Sequence, residues 1–284
     1  MSQWKPFAAL RLIRIGNCLV AGATSLAGSW VSGSALHRDK PWLLAISAML
    51  IAAFGNAYND ICDLPADRVN RPERVLVRGD IDMVLALRIA GWCLALGLMT
   101  AAYAYVNALI LAVTVSTVLF VYDRDLKSQP LVGNAAVAAI CGATVAYGAI
   151  AGPGWNRQVL VLMVSAFSLT LVRELYKDIQ DIEGDVAMGA RTFPILFGER
   201  RSALVSLLPL AFTVTWVLYR IFSSVPDWTG AYVVGVALVA GLLWTAFRSV
   251  SSKGPAQWGR RAREVKIWIV LGVVWVLVWR FRQG

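Results

Sequence analysis

Two short windows of this chain hold oxygen-bearing side chains at helical spacing: Asn56, Asn59, Asp60, Asp63 and Asp67, then Glu174, Asp178, Asp181 and Asp185. Positions 56, 60, 63 and 67 lie four, three and four apart, as do 174, 178, 181 and 185, so each set falls on one stripe of a helix. Seven of the chain's 17 acidic residues belong to these two sets. Their surroundings read as membrane, where each carboxylate costs about 2.5–3.5 kcal/mol on insertion scales. Something must compensate, and a divalent metal carrying phosphate does so. Mg²⁺ prefers oxygen ligands, keeps several waters and commonly binds through one or two carboxylates plus substrate phosphates. Two facing stripes would hold a pair of such ions around a diphosphate and neutralise the charge that develops as it leaves. That is the chemistry that ionises an allylic diphosphate into a carbocation. A solvated helix end paired with arginine explains one stripe; two stripes on separate helices at one membrane face call for more.

The rest of the chain supplies the frame for those stripes. Of 284 residues 58% are apolar and 15% charged, and the mean hydropathy is +0.62, which marks a polytopic membrane protein. About 20 apolar residues span a bilayer. Nine such stretches centre near residues 20, 50, 94, 113, 141, 165, 211, 238 and 273. Tyr103, Tyr105 and Asn107 divide the run 84–122 in two. Leu19–Val31 is apolar but leads to no clear small-residue cleavage site, so no removable signal peptide is read. The expected fold class is an all-α polytopic membrane protein, one domain over residues 1–284. Pro65 should bend or end the first acidic helix, leaving Asp67 on a loop that folds back. Gly184 suits close approach or fraying at the end of the second.

Charge gives an orientation. Connections holding Arg68, Arg71, Arg74 and Arg78, then Arg124 and Lys127, then Arg191, Arg200 and Arg201, and finally Arg260, Arg261, Arg263 and Lys266 alternate with poor ones near 103–107, 152–157 and 223–229. The positive-inside rule puts the N-terminus and these basic loops in the cytoplasm, and both acidic windows with them. Arg38, Lys40, Arg280 and Arg282 are the exceptions. Trp30, Trp42, Trp155 and Trp228 fall near the outer ends of spans, as an interfacial belt does. The same pattern, with attraction to anionic lipid, accounts for the net charge of +10 and excludes nucleic acid as a partner. Cys18, Cys62, Cys93 and Cys141 lack metal-site spacing and read as buried packing residues. His37, the single histidine, sits in an outer loop, which leaves a hydrolytic triad without a base.

Asn59-Asp60-Ile-Cys-Asp63-Leu-Pro-Ala-Asp67, continued by Arg68-Val-Asn70-Arg71-Pro72, resembles the first signature of the UbiA superfamily of intramembrane prenyltransferases. Lys177-Asp178-Ile-Gln-Asp181-Ile-Glu-Gly-Asp185 resembles its second, and the stretch from Arg173-Glu174 to Pro194 is most similar to the branch that makes digeranylgeranylglyceryl phosphate. Tyr122 to Lys127, with Gly133-Asn134 beyond, matches the family's third conserved loop, and Arg14 and Asn17 echo its first-helix motif. The resemblance implies nine helices around a central cavity, with the two acidic motifs facing each other at its cytoplasmic mouth. It implies a Mg²⁺ site at Asn59, Asp60, Asp63, Asp67, Asp178, Asp181 and Asp185, with Asp60, Asp63, Asp178 and Asp181 catalytic. Diphosphate contacts carry over to Arg71, Lys127, Lys177 and Arg191. Glu174 carries no assigned role; Arg173 and Lys177 are its neighbours on the helix surface.

The implied reaction moves a polyprenyl group from a polyprenyl diphosphate, geranylgeranyl diphosphate first, to a lipophilic acceptor drawn from the bilayer, geranylgeranylglyceryl phosphate first. An aromatic-ring acceptor of quinone or chlorophyll-type biosynthesis, or a terpene cyclisation with no acceptor, would use the same metal residues. A transporter is the reading from another class, and acids gathered at one face rather than the midplane count against it. Phe54, Tyr58, Phe120, Tyr147, Phe167 and Tyr176 are available to face a cation, although membrane packing claims each individually. The chain departs from the family where Arg74-Val75-Leu76-Val77-Arg78-Gly79 replaces a proline-rich loop, and where Ile15 stands for a proline.

Overall fold

The structure is a computed structural model and describes residues 6–127, 129–187, 189–223 and 229–280. Trp228 and Arg282 lie outside the described residues. The elements are α1 (Pro6–Leu12), α2 (Ile15–Val31), α3 (Asp39–Cys62), α4 (Leu64–Asn70), α5 (Met83–Ala104), α6 (Val106–Val121), α7 (Val132–Ala149), α8 (Arg157–Gln180), α9 (Ile182–Ala187), α10 (Phe193–Phe197), α11 (Glu199–Ser223), α12 (Thr229–Val250) and α13 (Pro255–Arg280). Among the described residues there is no strand, and seven helices are long and apolar enough to cross a membrane: α3, α5, α7, α8, most of α11 and α12, and α6 with the turn that extends it. The two other expected stretches differ in kind. α2 is apolar but has 17 residues, and the first turns of α13 carry Arg260, Arg261, Arg263, Glu264 and Lys266.

Local chemistry sets the boundaries. The polar interruption before Asn107 becomes a break at Tyr105, whose backbone is extended (φ −156°, ψ 144°) between α5 and α6. Asp82 and Asn156 start α5 and α8 by accepting the N–H of Leu85 at 2.7 Å and of Val159 at 2.9 Å, which satisfies donors a helix start leaves orphaned.

Small residues then let helices approach. A Cβ on Gly148 would collide with the Ser25 carbonyl, and one on Gly28 with that of Val145. The α2–α7 contact therefore requires both glycines, and the Ser29 hydroxyl donates across it to the Gly148 carbonyl at 2.8 Å. Ser47 joins three helices: it donates to the Gly97 carbonyl of α5 at 2.8 Å and accepts from the Tyr147 hydroxyl of α7 at 2.7 Å.

Both acidic helices break, in different ways. Pro65 ends α3, as expected, but Asp67 is not on a loop. Proline is tolerated in a first helical turn, where its missing N–H has no partner to lose, so α4 restarts at Leu64 and Asp67 is helical. The Asp63 N–H reaches the Asn59 carbonyl and the Asp67 N–H the Asp63 carbonyl, both at 2.8 Å, which carries the stripe through the kink. α8 breaks at Asp181 without a proline, and α9 resumes at once. Of the four cysteines, all unpaired, only Cys18 is fully buried.

Candidate functional site

The kinked ends of α3 and α8 face each other across one cavity of about 290 Å³ that opens to solvent. Asn70 holds α4 to α9: its amide donates to the Asp181 carbonyl and accepts the Gly184 N–H, each at 3.0 Å. A Cβ at Gly184 would overlap that amide, so the close approach expected of this glycine is made.

Asn59, Asp63 and Asp67 from the first window and Asp178, Asp181 and Asp185 from the second line the cavity, with Arg71, Lys127 and Lys177 among them. Asp60 stands behind this lining, 2% exposed, where Arg14 and Arg74 both pair with it. Arg191 is exposed in the segment between α9 and α10 and does not join the lining.

Four of the seven carboxylates that line the cavity, Asp63, Asp67, Glu174 and Asp181, pair with a cation of the chain. Arg71 grips Asp181 through both oxygens, at 2.8 and 2.6 Å. Lys127 pairs with Asp63. Glu174 takes Arg173 at 2.5 Å and Lys177 at 2.7 Å, which gives this residue its partners. Asp178 accepts from the Asn134 amide at 2.7 Å. Burial pushes Asp185 up to about 6 against the pull of Lys127, and it raises Asp67 despite Arg74. Burial works against the charge of Arg71 and Lys127, but Asp181 and Asp63 outweigh it and hold both cations above their ordinary values. Among the described residues no group of three His, Cys, Asp or Glu converges on one point as a ready-made ion cage. Carboxylates drawn to internal cations explain that, and a Mg²⁺ that takes one or two carboxylates and fills its shell with phosphate and water needs no such cage.

Further residues complete the site. α6 continues into a π-helical turn, Tyr122–Leu126, closed by the Lys127 N–H on the Tyr122 carbonyl at 3.0 Å. The wider turn sets Tyr122, Asp123 and Lys127 on the cavity together. Asp123 is 9% exposed; its Oδ1 accepts from Asn59 at 2.7 Å, and its Oδ2 is buried without a hydrogen-bond partner. Asn70, Arg74, Asp123 and Asn134 lay in or beside the recognised motifs, and only their tertiary partners set them apart.

The cavity floor is apolar, from Ala48, Ile51 and Ala52 of α3 to Val115 and Leu119 of α6 and Val137 and Ile140 of α7. A second, apolar cavity of about 120 Å³ between α2, α8, α11, α12 and α13 shares Thr24, Ala166 and Ile269 with it. The expected aromatic wall is mostly elsewhere. Phe54, Tyr58 and Phe120 stack on one another with centroids 5.7 and 5.2 Å apart, and Tyr176 packs on Trp258 at 5.3 Å. These rings hold helices together, while Tyr122 and Tyr147 face the cavity.

The chain matches known proteins along nearly its full length. It is 34% identical over 280 residues to the digeranylgeranylglyceryl phosphate synthase of Thermococcus kodakarensis, covering 97% of this chain and 98% of that one. It is 34% identical over 278 residues to the synthase of the same name from Pyrococcus abyssi, covering 98% of each. Among solved structures, a digeranylgeranylglyceryl phosphate synthase aligns with TM-score 0.71 at 25% identity, over 96% of this chain and 97% of that one. Two UbiA homologues share the fold: one from Aeropyrum pernix K1 (TM-score 0.77, 19% identity, 93% and 98% covered) and one from Archaeoglobus fulgidus bound to GPP and Mg²⁺ (TM-score 0.66, 20% identity, 95% and 99% covered). The profile of the UbiA prenyltransferase family matches residues 21–270. The chain therefore belongs to the UbiA prenyltransferase family, as its paired acidic motifs imply.

Proposed function

We propose that this enzyme transfers a geranylgeranyl group from geranylgeranyl diphosphate to geranylgeranylglyceryl phosphate, with Mg²⁺ held between the two acidic stripes. The observation that carries the reading is the convergence of both stripes on one cavity that is acidic and basic at its mouth and apolar below. The donor set fits a hard cation: Asn59, Asp63, Asp67, Asp178, Asp181 and Asp185 offer oxygen alone, and burial that raises Asp67 and Asp185 is relieved by a divalent charge. Bound there, Mg²⁺ would neutralise the charge on the departing diphosphate. Arg71, Lys127 and Lys177 bind the diphosphate oxygens, and Arg14 with Arg74 fixes Asp60 behind the ligands. The apolar floor orients the prenyl chain and keeps water from the allylic cation until the acceptor hydroxyl attacks. The orientation with the N-terminus and acidic mouth in the cytoplasm, and nine crossings that count α2 and α13, belong to the same reading. Relatives of that name and the basic loops at the acidic end support it.

The test is an incubation of purified protein with Mg²⁺, geranylgeranyl diphosphate and a panel of acceptors, read by mass spectrometry. A diether phosphate that disappears with EDTA is the expected product. A prenylated ring from 4-hydroxybenzoate or homogentisate, or a hydrocarbon without any acceptor, would overturn the acceptor assignment.

A further inference from the structure

Seven cations line the main cavity: Arg14, Arg71, Arg74, Lys127, Arg173, Lys177 and Lys266. Six of them pair with a carboxylate. Among the described residues Lys266 has no carboxylate partner, and its ammonium donates to the Asn17 side-chain oxygen at 2.5 Å. The charges acting on it are Arg14 and Arg173, both cationic. Arg14 and Arg173 line the same cavity as Lys266 and spend their counter-charge on Asp60 and Glu174, leaving Lys266 to an anion from outside.

The position of Lys266 says what kind of anion. A shallow groove along α1 and the start of α2 shares Arg14, Asn17 and Lys266 with the main cavity, and its remaining wall includes Arg11 and the apolar side chains of Phe7, Leu10 and Ile15. Among the described residues no acidic side chain lines it. Phe7 is 71% exposed, so the groove offers greasy surface beside three cations, the surface an amphiphile with an anionic head requires. The acid-rich region around Asp63 and Asp181 suits an anion that arrives with metal; this groove suits one that arrives without.

We infer that Lys266, steadied by Asn17 and assisted by Arg11, forms a second anion site that receives the phosphate monoester of the lipid acceptor. The inference rests on the proposed function for the identity of the acceptor. It assigns acceptor and donor phosphates to different cations, so that the acceptor's hydroxyl can point into the cavity while its charged end stays at the groove.

The test is binding without turnover: full-length protein in detergent with EDTA, titrated with geranylgeranylglyceryl phosphate, geranylgeranylglycerol or phosphatidylglycerol. Lys266→Gln is expected to weaken binding of the phosphate monoester by about ten-fold or more, because it removes a charged hydrogen bond. Lys266→Arg should restore most of it, and the preference for phosphate over free alcohol should collapse in Lys266→Gln. Arg11→Gln, on an exposed side chain, serves as the second variant and should weaken the same ligand. Equal affinity in wild type and both glutamine variants would overturn the site, as would phosphatidylglycerol competing as well as the monoester. A wild-type transfer assay separates the two readings. Affinity that depends on Lys266 without any transfer keeps the site and removes the acceptor assignment; transfer with affinity indifferent to Lys266 and Arg11 does the reverse.

Discussion

Asp181 and Arg71 show how individual side chains divide the work. Nη2 of Arg71 donates to both oxygens of Asp181, which fixes the carboxylate's direction. Asp181→Ala removes an expected metal ligand and strands the guanidinium; Asp63→Ala does the same to Lys127. Each variant should lose about 10²–10³-fold in kcat while remaining folded in membranes, as size-exclusion and thermal unfolding would show. Full turnover in both would sink the two-stripe scheme. The oxygen-bearing residues were legible in the sequence because helical spacing is a local property. Asp123, Arg74 and Asn134 were not, because what distinguishes each is a partner 64, 14 or 44 residues away. Arg191 matched the family pattern by position, yet its side chain stays outside the lining.

Helices place these side chains through their interruptions as much as their lengths. The kink at Pro65 was readable from the sequence; the restart that keeps Asp67 helical was not, since proline forbids continuation of one helix without deciding whether another begins. The break at Asp181 carries no proline signal at all and goes with the tertiary contact from Asn70. Asn70→Ala removes both bonds that join α4 to α9. It should cost about 1–3 kcal/mol in unfolding free energy and raise the donor KM, because the two stripes lose their fixed separation. Unchanged stability and KM would reduce Asn70 to an ornament of the loop. At the α2–α7 contact, Gly148→Val should lower the melting temperature in detergent, with overpacking worth about 1–3 kcal/mol. A melting point equal to wild type would mean that the helices separate without penalty.

For the molecule as a whole, hydropathy gave the helix order and family likeness the common cavity, but neither the second apolar chamber nor its seam with the first was legible. Chambers are made by helices distant in sequence. Ala166 lies at that seam, lining both spaces. Ala166→Phe should shorten the longest prenyl chain accepted while leaving short donors as substrates, a shift that product mass spectrometry with donors of graded length would reveal. Undiminished use of the longest donor would mean that the chain takes another path.

Cations that line the mouth act as an internal salt for its carboxylates, Lys127 for Asp63 and Arg71 for Asp181. On the proposed reading a bare metal ion would have to evict Lys127 from Asp63 or Arg71 from Asp181 and would leave the evicted charge stranded. A metal–diphosphate complex would bring both halves of the exchange, since Asp63 and Asp181 would hold the metal while Lys127 and Arg71 turned to the phosphates. Metal and donor should therefore tighten each other's binding by about ten-fold or more, visible in calorimetric titration of Mg²⁺ with and without an unreactive donor analogue. On the proposed reading the pairs Lys127–Asp63 and Arg71–Asp181 would close again once the product diphosphate has left, so that the chain's own cations serve as counter-ions to its carboxylates between turnovers.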